Sequence, residues 1–133
     1  MSVALDADVL IGALDASDHH HPDARRLFFR WRRDHIAGVI SVVSLTEVLV
    51  APAADRARLR TARAAIAALG VVIDAPGEGV GVDASVLRQR HPISLPDAYC
   101  LATARHRGAA VASFDAKVVR AARAEGIDVQ TMT

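Results

Sequence analysis

Short apolar runs alternate with longer stretches of helical periodicity along this chain. Val3-Ala4-Leu5 predicts a first strand, closed by Asp6, and residues 8–14 predict a short helix that stops at Asp15-Ala16-Ser17-Asp18. Pro22 fits the first turn of a second helix, where a missing N–H costs nothing. In that helix Ala24, Leu27, Phe28 and Trp31 recur at i, i+3, i+4 and i+7, so they share one face. Arg26, Arg30 and Arg33 take the opposite face. Residues 39–42 predict a second strand and residues 44–50 a third helix. Residues 53–69 predict a longer helix, with Leu59, Ala62, Ile66 and Leu69 as its apolar stripe and Arg56, Arg60 and Arg63 as a basic one. Gly70 is its stop. A third strand at 71–73, a turn at 76–79, a helix to Arg90 and a helix at 94–107 stopped by Gly108 follow. A fourth strand at 110–112, a helix at 115–125 and a fifth strand at 127–129 complete the pattern.

Strands that alternate with helices imply βαβ units: an α/β fold whose central parallel sheet is flanked by helices on both faces. In such sheets ligands bind outside the carboxyl ends of the strands. Acids that follow strands are therefore the first candidates for chemistry.

The length of 133 residues suits one domain spanning residues 1–133, and 52% hydrophobic against 23% charged residues argues against disorder. Sixteen basic and fifteen acidic residues leave a net charge of +1, which excludes a generally basic nucleic-acid coat. Fifteen of those sixteen are arginine; Lys117 is the one lysine. One cysteine, Cys100, builds no disulfide framework or zinc finger. Among Tyr99, Leu101 and Ala102 it reads as a small buried hydrophobe, since no histidine is placed to activate it. Asp6 and Asp8 interrupt the apolar start and no basic region precedes it, so no signal peptide is expected, and the richest apolar stretch, 38–54, contains Glu47 and Pro52 and is too short to span a bilayer. A cytoplasmic protein without membrane attachment is expected. His19-His20-His21 cannot all face one ion from regular backbone and reads as the entry to the second helix.

Four acids stand out. Asp6 follows strand one, Glu47 lies in the helix after strand two, Asp97 opens the helix before strand four, and Asp115 follows strand four. Singly, each has a plainer role. Asp6 and Asp115 suit N-caps, Ser44-Leu45-Thr46-Glu47 spells a capping box, and Ser94-Leu95-Pro96-Asp97 spells its near-equivalent. Together, acids recurring at one end of a sheet repel unless cations sit between them. Mg²⁺ or Mn²⁺, hard ions with oxygen ligands, match such a set.

At these residues the chain resembles the PIN-domain family, and more narrowly its VapC-type toxin ribonucleases. Val3-Ala4-Leu5-Asp6-Ala7-Asp8-Val9-Leu10-Ile11 resembles the opening strand and first acid, and Ser41-Val42-Val43-Ser44-Leu45-Thr46-Glu47 the second acidic segment. Leu95-Pro96-Asp97-Ala98-Tyr99-Cys100 resembles the third, and Val111-Ala112-Ser113-Phe114-Asp115 the fourth, with its small hydroxyl residue two before the acid. Asp8 stands where the family often has an uncharged polar residue; support of a metal site and support of the helix start are both open to it. The resemblance implies a Mg²⁺- or Mn²⁺-dependent endoribonuclease, the toxin of a toxin–antitoxin pair, paired with a cognate antitoxin and commonly homodimeric. It implies Asp6 and Asp97 as direct metal ligands and Asp115 as a ligand of the same or a second ion. Glu47 is then a ligand or orients metal-bound water, and Ser113 donates a hydrogen bond near metal or phosphate.

Asp6-Ala7-Asp8-Val9-Leu10 also resembles the opening of haloacid-dehalogenase-type phosphatases, with Asp6 as nucleophile, but that chemistry needs a downstream lysine followed by another acidic motif. After Lys117 only Glu125 and Asp128 remain. A non-enzymatic receiver-like domain lacks its lysine likewise. The arginine stripes suit either a solvated face or contacts to RNA phosphates. Phe29 falls between the apolar and basic faces of its helix, fitting a partner surface or a core edge. Aromatic residues are only 4%, so base stacking is not expected to dominate recognition.

Overall fold

The apolar runs become strands because helices bury them from above and below. In the computed structural model, which describes residues 1–130, the strands are β1 (Ser2–Leu5), β2 (Ala37–Ser41), β3 (Val72–Asp74) and β4 (Ala110–Ala112). They form one sheet in the order β3-β2-β1-β4, every neighbouring pair parallel. Parallel neighbours need crossovers, and helices supply them. These are α1 (Ala7–Leu14), α2 (His21–Arg33), α3 (Val42–Val50), α4 (Arg56–Ala68), α5 (Glu78–Arg90), α6 (Leu95–Arg107) and α7 (Ala116–Ala124). The fold is α/β, as the alternation predicts.

The pleat of β1 divides the core in two. Val3 and Leu5 point to one face, where Leu10, Leu27, Trp31, Ile40 and Ile66 from α1, α2, β2 and α4 pack on them. Ala4 points to the other, against Leu87, Leu101, Val111 and Val118 from α5, α6, β4 and α7. Burial on both faces is why these strands are apolar throughout rather than alternating.

Four expectations change. The strand at 127–129 is reduced to a single bridge, Val111 to Val129, bonded through Asp128 O and Gln130 N. β4 is three residues long and offers only Val111 on that side. The helix expected at 44–50 starts earlier: Ser41 is the N-cap, accepting from Val43 N at 3.2 Å, and β-branched Val42 and Val43 form its first turn. Ser44 is therefore interior and fully buried, and the capping box read at Ser44 and Glu47 does not form. The helix expected at 53–69 is a short 3₁₀ turn at Pro52–Ala54 followed by α4, capped by Asp55. Within its stripe only Ile66 is buried, and Leu69 is exposed. Finally, β3 is an edge strand with Val72 and Ile73 about half exposed, so helices do not cover it fully.

This topology fixes where a ligand can bind. From β1 the chain moves to β2 and β3 on one side, and β4 returns on the other side of β1. The crevice between the carboxyl ends of β1 and β4 is the topological switch point. Asp6 N donates to Ala112 O across it at 2.9 Å. Gly108, at φ +61°, ends α6 in the left-handed conformation and turns the chain back into β4.

Candidate active site

Each acid is set by its own element. Asp6 is the N-cap of α1, accepting from Ala7 N at 2.8 Å. Its other oxygen, Oδ2, accepts from Ser113 Oγ at 2.6 Å, and Ser113 Oγ in turn accepts from Asp115 N at 3.0 Å. Asp115 is the N-cap of α7, accepting from Lys117 N. Asp97 sits in the first turn of α6, in a full capping box with Ser94. Capping and clustering thus coexist in three of the four predicted acids. Glu47 caps nothing; it lies on α3, facing Asp97 closely enough to feel its charge.

The electrostatics mark these groups as one site. Asp6 is 5% exposed, and burial, then repulsion from Asp8, raises its pKa to about 7, with Asp97 adding to the rise. The Ser113 hydroxyl and Ala7 N–H pull the other way, since both stabilise the carboxylate. Burial also raises Asp8 to about 6, against the Phe114 N–H and the nearby His20. Glu47 is raised by partial burial and by Asp97. Cys100, buried beneath the acids, has its thiol pushed well up by burial and by Asp6, Asp97 and Asp8, and so is no nucleophile.

Sequence reasoning left Asp8 open. Its Oδ2 accepts from Phe114 N at 3.0 Å, tying α1 to the loop after β4. Its Oδ1 is buried without a hydrogen-bond partner among the described residues. Sequence reasoning gave His20 a place at the entry to α2 but missed its contact with the site. Its ring stacks on Phe114 at 4.3 Å between centroids and 16° between planes, while His21 Nδ1 anchors to Gly12 O at 2.7 Å. The histidine run does form the entry to α2, as expected, but no spacing signal marks a contact 94 residues away in sequence between His20 and Phe114.

Whether a hard cation suits these residues is a matter of charge and donors. Carboxylate oxygens are the right donors, the like charges raise one another, and Asp8 Oδ1 is an orphaned buried acceptor. Among the described residues no three such side chains stand together as a ready-made metal shell. The fit is one of charge and chemistry.

A parallel sheet with carboxylates drawn to its switch point defines a class of α/β domains with an acidic carboxyl edge. The chain belongs to the PIN domain family, whose model matches residues 3–124. The phosphatase and receiver alternatives belong to other families. No curated protein matches the chain in sequence. In fold it is similar to a toxin–antitoxin complex from Klebsiella pneumoniae (TM-score 0.75, 22% identity, 100% of this chain and 98% of that one). It is also similar to VapC20 from Mycobacterium tuberculosis, a sarcin–ricin-loop-cleaving toxin (TM-score 0.73, 20% identity, 91% and 95%). A third similar structure is VapBC2 from Rickettsia felis, bound to a DNA fragment from its promoter (TM-score 0.75, 13% identity, 98% of each). No helix among the described residues is long and apolar enough to cross a membrane.

Proposed function

We propose that residues 1–133 act as one divalent-metal-dependent endoribonuclease domain, the toxin of a toxin–antitoxin pair. It works in the cytoplasm as a homodimer restrained by a cognate antitoxin. The observation that carries the reading is the acidic edge of a PIN domain: the charges of Asp8 and Asp97 raise Asp6, that of Asp115 raises Asp8, and that of Asp97 raises Glu47. The Klebsiella and Rickettsia structures support an antitoxin partner, and the Mycobacterium toxin supports RNA as substrate.

In this reading Asp6, Asp97 and Asp115 hold Mg²⁺ or Mn²⁺, with Asp8 Oδ1 within reach of the same charge. When bound, such an ion lowers the pKa of water and offsets charge on the phosphate. The protein does the rest. Ser113 donates to Asp6 Oδ2, which fixes the carboxylate and favours its ionised form against the effect of burial. Glu47, raised above an ordinary glutamate, accepts the proton of the attacking water. The hydroxide-like oxygen attacks phosphorus, the P–O bond to the leaving ribose oxygen breaks, and that oxygen takes a proton from solvent.

The test is RNA cleavage with and without Mg²⁺, Mn²⁺ and excess chelator, for wild type, Asp6→Asn and Asp97→Asn. Asparagine caps about as well as aspartate, so both variants should fold, yet the lost charge should remove most of the activity. Cleavage that persists in chelator, or in both variants, would sink the proposal.

A further inference from the structure

Helix α2 carries five arginines, Arg25, Arg26, Arg30, Arg32 and Arg33, in thirteen residues. Its buried line is Ala24, Leu27 and Trp31. At 3.6 residues per turn, Arg26, Phe29 and Arg33 lie opposite that line, with Arg25 beside them. Phe29 is 72% exposed, and the side chains of Arg26 and Arg33 are 75% and 63% exposed. Acids answer only weakly here. Asp23 lies 3.6 Å from Arg26 and Asp34 lies 3.0 Å from Arg33, both in open solvent, where such pairs contribute little. Over residues 21–34 the balance is five arginines against Asp23 and Asp34, or 5 − 2 = +3, in a chain whose total is +1.

This cationic face begins at the acidic site. His20, the residue before α2, stacks on Phe114, and Phe114 N binds Asp8. A shallow depression of about 520 Å³ runs from His21 between Arg25, Arg26, Phe29 and Arg33. An edge lined with carboxylates repels a polyanion, so a phosphate chain brought to it must be gripped elsewhere. The grip must adjoin the edge, and it must be positive.

We propose that the outer face of α2 is the track that holds single-stranded RNA leading into the acidic edge. Arg25, Arg26 and Arg33 contact phosphates along a strip about 12 Å long, and Phe29 offers its ring to one base. The track rests on the nuclease reading of that edge.

The experiment measures binding and cleavage separately. Anisotropy of a fluorescein-labelled short single-stranded RNA is titrated in chelator over a range of salt for wild type, R25A/R26A/R33A, its lysine counterpart R25K/R26K/R33K, and Phe29→Ala. The triple alanine variant should bind at least tenfold more weakly near about 0.1 M salt, and its log–log salt slope should be shallower by about 2. The lysine counterpart should keep the slope. Phe29→Ala should bind about tenfold more weakly with the slope unchanged. With Mg²⁺ the triple alanine variant should lose kcat/KM on the same RNA while keeping kcat at saturation. RNA binding by that variant within twofold of wild type would overturn the track. So would a triple variant that keeps RNA binding but loses self-association or affinity for an acidic peptide, since this assigns the face to a protein partner. A wild type that binds RNA in the predicted way but never cleaves it overturns the nuclease reading and leaves the binding face standing.

Discussion

Ser113 shows how one hydroxyl can join a carboxylate to a neighbouring backbone N–H. It donates to Asp6 Oδ2 and accepts from the backbone of Asp115, so it couples the ends of β1 and α7. Ser113→Ala removes a hydrogen bond to a charged group, an interaction of about 1.5–3 kcal/mol. We expect a ten- to hundredfold drop in RNA cleavage, with the acid limb of the pH–rate profile moved upward because Asp6 loses a group that lowers its pKa. An unmoved acid limb in a steady-state pH profile would show that Ser113 does not act through Asp6. Asp6 also sets a stability prediction. Its folded pKa, about 7, lies above the usual 3.8, so the folded state binds this proton more tightly than the unfolded chain. The contribution is therefore full below pH 4 and is lost as pH rises from about 4 to 7. Metal-free protein should melt several degrees higher at pH 5 than at pH 8, a difference of roughly 2 kcal/mol. Asp6→Asn should reduce it, leaving the part that Asp8, raised to about 6, contributes with the same sign. The Glu125 carboxyl, held down by His91 and then Arg105, works in the opposite sense but below its ordinary value of 4.5, outside that window.

Among the elements, α3 gives the sharpest test of local structure against sequence pattern. Ser44-Leu45-Thr46-Glu47 spells a capping box, yet Ser41 caps the helix and Ser44 is buried with its hydroxyl unpartnered among the described residues. Ser41→Ala should cost about 1 kcal/mol, the usual loss for a serine N-cap. Ser44→Ala should be neutral or stabilising, because it removes a buried donor that makes no bond. Urea denaturation of the two variants decides the matter: equal losses would restore the cap at Ser44.

At the scale of the whole molecule, the proposed cation should be linked to stability. Four elements carry the acids, and a divalent ion that bound only the folded chain would relieve their repulsion. At about a hundred times its Kd such a ligand adds roughly 2.7 kcal/mol. Thermal melts at pH 8 should therefore rise by several degrees with Mg²⁺ or Mn²⁺, and much less for Asp97→Asn. Equal rises in both proteins would place the ion elsewhere.

The local half of this protein is written in its sequence. Periodicity identifies the β-strand runs and the helices because burial on two faces demands continuous apolar runs and burial on one demands a stripe. Asp6, Asp97 and Asp115 are legible as helix starts because capping is a property of adjacent residues. Boundaries fail where two local signals compete, as at Ser41 against Ser44, and the strand at 127–129 fails because its pairing depends on how much of β4 remains to bond. Only the tertiary structure decides the contacts that make a site. The stack of His20 on Phe114, the bond from Phe114 N to Asp8 and the hydroxyl of Ser113 on Asp6 join residues about 100 positions apart. Chain geometry sets those distances, and no periodicity carries them. The raised pKa of Asp6 likewise comes first from burial and then from the charge of Asp8; the sequence holds the carboxylates, and the fold makes them repel.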